Sequence, residues 1–222
     1  MKLFRLNLGI RGILAAAALL TATSCLQAQN QPFPDPPSAP AESQGLKKAV
    51  FAGGCFWGVE GVLESLKGVK SAVSGYCGGT IPHPSYEEVS TGTTGYAESV
   101  EVTYDPAVIS YGTLLKVYFS IVADPTELNY QGPDEGTQYR SVLFYTQAYQ
   151  KDLANAYIQK LSQARVWSSP IVTQVVPVKN FYPAEAYHQH FLRDHPDNPY
   201  IAAWDLPKLQ ALKQSYPNLI SQ

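Results

Sequence analysis

Apolar and polar positions along this chain fall into short stretches that can be read element by element. Lys47 to Phe51 reads as a strand, and after it Phe56, Val59, Val62, Leu63 and Leu66 recur at helical spacing, in a helix that ends at Gly68. Val69 to Tyr76 is a second strand, closed by Cys77-Gly78-Gly79. Ser85 and Glu88 have the spacing of a capping box, so Tyr86 opens a short helical turn. From Tyr96 to Tyr104 the residues alternate, with Val100, Val102 and Tyr104 on one face and Ser99, Glu101 and Thr103 on the other. Ser110 caps a helix through Tyr111, Leu114, Leu115, Tyr118 and Val122, and a long loop runs from Asp124 to Gly136. Gln138 to Tyr145 is a strand, Thr146 caps a helix through Leu153, Tyr157 and Leu161, and Ile171 to Val178 is a further β-branched strand. Phe181 to Arg193 reads as helical, Pro196 to Pro207 as irregular, and Leu206 to Tyr216 as a terminal helix with Pro207 at its start.

This order contains a split βαβ arrangement. The expected fold is therefore α+β, a two-layer sandwich with a mixed sheet around a ferredoxin-like βαββαβ core, and Cys55 at a sheet edge near the Glu98 loop.

Composition changes the picture at the N-terminus. Residues 1–24 read as a signal peptide: Lys2, Arg5 and Arg11 form a basic start, and Ile13 to Leu20 an apolar run too short to span a bilayer. Ala22-Thr23-Ser24-Cys25 resembles a lipoprotein processing site, with ordinary signal-peptidase cleavage nearby as the alternative. Export follows, to the periplasm or to a lipid anchor at Cys25. Residues 25–46 carry Pro32, Pro34, Pro36, Pro37 and Pro40 among polar residues and read as a disordered tether. Residues 47–222 are then the catalytic domain. The whole chain is 45% hydrophobic with a net charge of -2 and scattered lysines and arginines, which suits a domain with a full-sized core and suggests no nucleic-acid surface.

Chemistry concentrates at Gly53-Gly54-Cys55-Phe56-Trp57-Gly58, where a strand turns into a helix. Unpaired amides and the positive end of the helix dipole favour a thiolate at Cys55, and Phe56 and Trp57 can line an apolar pocket beside it. The plainer alternative is a buried cysteine beneath an aromatic stripe. Period two puts Glu98 on the apolar face of its strand, where lost hydration would keep it protonated; alternatively it lies beyond the buried part and is solvated. Besides Cys25, only Cys55 and Cys77 occur, which gives neither a disulfide framework nor a metal-ligand pattern. His188 and His190 are two apart and project to different sides, so no metal pair is expected, although either could serve a Cys/His hydrolase as its base. A third class is a tethered peptide-binding module without turnover.

Four motifs in order, "GGCFWG" at Gly53 to Gly58, "GYCGG" at Gly75 to Gly79, "PSYEEVSTGTTGYAE" at Pro84 to Glu98 and "QGPDEGTQYRS" at Gln131 to Ser141, resemble the A-type peptide methionine sulfoxide reductases. The resemblance covers roughly Lys47 to Asn198. It implies Cys55 as nucleophile, Glu98 as proton donor, Phe56 and Trp57 as walls around the substrate methyl group, Tyr86 and Tyr139 near the sulfoxide oxygen, and Asp134 as an acid that helps build the site. The implied reaction reduces methionine-S-sulfoxide, free or in oxidised proteins, through a Cys55 sulfenic acid. It needs no cofactor or metal and draws on a thioredoxin-like dithiol, in a protein expected to be a monomer. Departures from the family pattern are Tyr96 in place of a histidine, Phe191 in place of a tyrosine, and the lack of any cysteine after Cys77. Either Cys77 resolves the sulfenic acid or an outside thiol does, and Cys77 also reads as a small buried residue at a strand end.

Overall fold

The structure, a computed structural model, describes residues 32–221. The leader, Cys25 and the residues after it as far as Gln31 lie outside those residues. Among the described residues no helix is long and apolar enough to cross a membrane.

Strand β1 (Lys47–Ala52) is apolar on both faces because both faces are covered, and Ala49 to Ala52 are all buried. It lies antiparallel between β3 (Ala97–Tyr104) and β6 (Val142–Tyr145). On its far side β3 pairs with β2 (Val69–Cys77), with Tyr76 opposite Glu98 and Cys77 opposite Ala97. Helix α1 (Phe56–Glu64) connects β1 to β2 and packs over β2 and β3, while α2 (Tyr86–Ser90), opened by the Ser85–Glu88 capping box, sits between β2 and β3. The strand order β6-β1-β3-β2 is the ferredoxin-like core, and it is widened by β7 (Gln174–Pro177), parallel to β6, and by β8 (Phe181–Pro183), antiparallel to β2. The result is a six-stranded mixed sheet in an α+β fold.

Alternation divides this sheet into two faces. Phe51 meets the rings of Tyr111 and Tyr118 at 6.1 and 5.7 Å, and Tyr76 meets Phe56 at 5.9 Å, so Phe51, Val100, Glu98 and Tyr76 share the helix-covered face. Val50, Ala52, Cys77, Ala97, Val142 and Phe144 pack together on the opposite face.

Several expectations need correction. Phe181 to Arg193 is not one helix: its first residues are recruited by the open edge of β2 as β8, where Pro183 is tolerated because an edge strand does not need every N–H. Gly75 permits the approach, since a Cβ there would lie 2.4 Å from both the Phe181 ring and the Tyr182 carbonyl oxygen. His190, with a left-handed backbone at φ 56°, then separates a 3-10 turn from the short helix α5 (Phe191–Asp194). Cys55 is not at a sheet edge, because β1 is an interior strand. The helix Tyr111 to Val122 is α3 (Tyr111–Val117) followed by a π turn over Tyr118–Val122. The long loop holds a small hairpin of β4 (Tyr130–Gln131) and β5 (Asp134–Glu135), and residues 137–139 form a 3-10 turn that shortens the expected strand to β6. Helix α4 (Ala148–Gln163) is capped by Gln147 with Gln150, while Thr146 instead donates its hydroxyl to the Lys48 carbonyl at 2.9 Å.

The tether expected at 25–46 is, over its described part, a strap. It lacks regular structure, yet from Pro34 it belongs to the same compact unit as the sheet. Tyr157 donates its hydroxyl to the Pro34 carbonyl, Asp35 pairs with Lys116 at 2.6 Å, and Pro36 covers Gly112. The Glu42 carboxylate accepts from the Tyr111 amide at 2.7 Å and from the Tyr104 and Tyr149 hydroxyls at 2.7 and 2.6 Å. A composition poor in large apolar residues does not build a core of its own but does not prevent docking through a backbone carbonyl and well-placed carboxylates.

Candidate active site

The turn from β1 into α1 is pressed beneath residues 123–131, so it leaves no room for side chains. A Cβ on Gly53 would lie 2.8 Å from Ala123 Cβ, and one on Gly54 equally close to Gln131 Cβ; Gly54 also needs φ +90°, which strains other residues. The Gly54 amide donates to the Tyr139 carbonyl at 3.1 Å, tying the turn to the segment that carries Tyr139. Cys55 follows as the N-cap of α1 and keeps 8% of its surface exposed.

Glu98 settles between its two readings as the buried one. It lies in β3 with 2% exposure, on the helix-covered face, and its Oε2 accepts from the Phe56 amide at 3.0 Å, the residue next to Cys55. Burial pushes its carboxyl up to about 8, against the Phe56 hydrogen bond and with help from Asp134 and Asp205. At neutral pH it is mostly protonated, and Oε1 is left to carry the proton.

The thiolate expectation for Cys55 is corrected. Burial above all pushes its thiol well above the ordinary range, the Glu98 and Asp205 carboxyls add to this whenever they are ionised, and the Trp57 amide opposes it only in part. The helix start does favour the anion, but desolvation and carboxylates outweigh it, so the resting sulfur is a thiol.

The other residues expected at the site converge on it. Phe56 is buried against Tyr76 and His188, with ring centroids 5.9 and 4.9 Å away. Trp57 stacks on Phe191 at 3.8 Å and donates its indole N–H to His188 Nδ1 at 3.1 Å. Tyr86 and Tyr139 are half-buried, and burial is the main cause that raises both phenols; the Tyr86 ring lies 4.5 Å from His188, and Tyr139 is joined to the Cys55 turn through the Gly54 amide. Asp134 accepts from the Tyr200 hydroxyl, and its carboxyl is raised by burial and lowered in part by that bond.

His188 is close but is not a base for Cys55. Its Nδ1 is engaged by Trp57, which puts the proton on Nε2, and burial lowers its basicity so that it stays neutral. His190 faces away and meets Glu60 and Glu64 instead. Cys77 projects into the apolar cluster on the opposite sheet face, and its thiol is pushed up to about 12, chiefly by burial. This placement matches the reading of Cys77 as a small buried residue at a strand end, on the sheet face opposite Glu98.

Two site residues are not anticipated by sequence, Tyr200 and Asp205. Both come from the stretch read as irregular, which forms a π turn (Ile201–Asp205) leading into α6 (Leu206–Ser215). Asp205 is fully buried against the first turn of α1, where a Cβ on Gly58 would lie 2.1 Å from its Oδ1, and burial raises its carboxyl to about 6. An aspartate just before Leu-Pro is a readable helix-start signal, but nothing local says which groove that helix start fills.

Comparison with known proteins agrees with this geometry. The family model described as peptide methionine sulfoxide reductase matches residues 47–219. A peptide methionine sulfoxide reductase MsrA 2 of Mesorhizobium japonicum is 55% identical over 178 residues, 80% of this chain and 91% of that protein. A peptide methionine sulfoxide reductase MsrA of Thermus thermophilus is 45% identical over 78% of this chain and 96% of its own. Among solved structures, reduced Mxr1 from Saccharomyces cerevisiae matches with TM-score 0.64 and 35% identity, covering 73% of this chain and 91% of that one. Methionine sulfoxide reductase A of Corynebacterium diphtheriae matches with TM-score 0.61 and 31% identity, covering 75% and 85%.

Proposed function

The chain belongs to the peptide methionine sulfoxide reductase family, A type, and from that premise we propose that its pocket reduces methionine-S-sulfoxide, free or in oxidised proteins, with Cys55 and Glu98 as the reacting pair. The observation that carries the assignment of roles is the Glu98 contact to the Phe56 amide, which holds a protonated acid next to Cys55, while the other described cysteine, Cys77, packs on the opposite sheet face. A sulfoxide oxygen is a poor leaving group until protonated. Glu98 gives its proton to that oxygen while the Cys55 sulfur attacks the substrate sulfur, and the thiol proton of Cys55 restores the Glu98 carboxyl. The attack forms an S–S bond between Cys55 and the substrate; the hydroxyl then passes to the Cys55 sulfur as that S–S bond and the substrate S–O bond both break, so that methionine leaves reduced by two electrons and Cys55 remains as a sulfenic acid. Phe56 and Trp57 supply the apolar wall for the substrate methyl group, and Tyr86 and Tyr139 the hydroxyls near its oxygen. Asp134, held by Tyr200, shapes the polar side.

With Cys77 on the far face, recycling falls to an outside thiol. A thioredoxin-like dithiol attacks the sulfenic acid, expels water to form a mixed disulfide, and its second thiol then releases Cys55. The leader sequence supports export, with a lipid anchor at Cys25 as the proposed attachment and the described domain working as a monomer outside the cytoplasm.

Dithiothreitol-dependent loss of methionine sulfoxide tests the reading. Wild type should consume reductant and substrate in equal amounts, Cys55→Ser should not turn over, and turnover by Cys55→Ser would refute it. Retained activity in His188→Gln separates this reading from a Cys/His hydrolase.

A further inference from the structure

Helix α1 starts at the pocket and carries a second group of reactive side chains about 7.5 Å further along its axis. Glu60 and Glu64 stand one turn apart on the same face, and His190 approaches both. Glu60 is fully buried, and its two oxygens are treated unequally. Oε2 accepts from the Ser74 hydroxyl at 3.1 Å and the His190 amide at 2.8 Å. Oε1 has no hydrogen-bond partner, although it is buried and lies 3.8 Å from His190 Nδ1. That same nitrogen is 2.7 Å from Glu64 Oε2, and one donor atom from each of the three residues lies within 4.8 Å of the other two.

An orphaned oxygen in a buried carboxyl is costly, and a second carboxylate beside it adds repulsion. A single imidazole N–H can serve one of these oxygens, not both. A cation between them serves both. Access is open: Glu64 and His190 are partly exposed and line a surface groove of about 540 Å³ with Ser71, Val73 and Gln189. Lys70 also lines that groove, and the Arg193 guanidinium is near enough to be raised by both carboxylates while it pairs with Asp194.

We propose that Glu60 Oε1, Glu64 Oε2 and His190 form a binding site for a divalent first-row cation of the zinc type, with water from the groove completing its coordination. An imidazole with two carboxylates selects such an ion over magnesium or calcium, which prefer all-oxygen shells. Zinc with bonds of about 2 Å holds its donors roughly 3.3 Å apart, so small rotations of Glu64 and His190 close the site. The cation would clamp α1 to residues 184–194, the segment that sets His188 against Phe56 and Trp57. The role is structural and independent of the reductase reading.

The test uses the full chain with Cys25 and Cys55 replaced by serine, so that their thiols do not take the ion, stripped with a chelator and titrated with zinc by calorimetry and with cobalt by visible absorption. A single equivalent should bind, the cobalt spectrum should lack thiolate charge-transfer bands, and zinc should raise Tm. In His190→Asn and in Glu64→Gln, both partly exposed and near-isosteric, affinity should fall at least about ten- to a hundred-fold and the Tm response should vanish. Circular dichroism matching the parent confirms that each variant is folded. Failure of the parent to bind zinc, or unchanged affinity in both variants, overturns the proposal.

Discussion

Cys55 and Cys77 are both buried and both raised in pKa, yet they occupy opposite faces of one sheet and differ in what surrounds them. Around Cys77 stand Val50, Ala52, Ala97, Val142 and Phe144, which offer no proton and no room. Around Cys55 stand Glu98, Asp134, Asp205 and the phenols of Tyr86, Tyr139 and Tyr200. Burial alone therefore does not separate a structural thiol from a reactive one. In the proposed reaction the neighbouring acids do, because Glu98 supplies the proton that the sulfoxide oxygen takes.

The comparison is most sharply broken by exchanging the two thiols' fates. Cys55→Ser should abolish turnover with folding intact, whereas Cys77→Ala should keep near-wild-type activity and lose about 1 kcal/mol of stability, read as a Tm lower by a few degrees. Mass spectrometry after a single turnover without reductant should show a gain of one oxygen; loss of two hydrogens instead would mean that the two sulfurs meet and that the sheet does not separate them.

Next in size is Glu98→Gln, expected to lower kcat about 10²- to 10⁴-fold while leaving Cys55 alkylation by iodoacetamide in place. The wild-type rate should carry a limb that falls as pH rises through about 8, where Glu98 loses its proton, and that limb should be absent in the glutamine variant. Stability follows the same sign. The folded protein holds this proton up to about 8, the unfolded chain releases it near 4.5, and so the Glu98 contribution to stability declines as pH rises across that window. Chemical denaturation at pH 6 and pH 8.5, wild type beside Glu98→Gln, measures it.

The smallest expected effect is at Asp205. Asp205→Asn removes a charge that raises the Cys55 thiol, so alkylation of Cys55 near pH 8 should quicken. An unchanged rate would show that Glu98 and burial account for the thiol by themselves.

Local readings succeeded where one periodicity or one turn decides the outcome. The glycine bracket around Cys55 does mark a strand-to-helix turn, Ser85 and Glu88 do form a capping box, and the alternation from Val100 to Tyr104 carries back to Glu98. They failed where a distant surface decides. Phe181 to Pro183 became a strand because the edge of β2 was open, the proline-rich segment docked because Tyr157, Tyr111 and Tyr149 offered donors, and Tyr200 and Asp205 reached the pocket because the chain returns over α1.

The charge on Cys55 shows the limit most clearly. A helix N-terminus is a local property and argues for a thiolate, but the desolvation and the three carboxylates that reverse it come from β3, the β5 hairpin and the C-terminal turn, which are brought together only by folding. The sequence by itself determined which residue types were available, which face of each strand they occupy and where the chain must turn, since steric and hydrogen-bonding rules act within a few residues. Tertiary structure alone decided the electrostatics of the pocket and which segments cover it, because Coulomb interactions and desolvation depend on distance through space rather than along the chain.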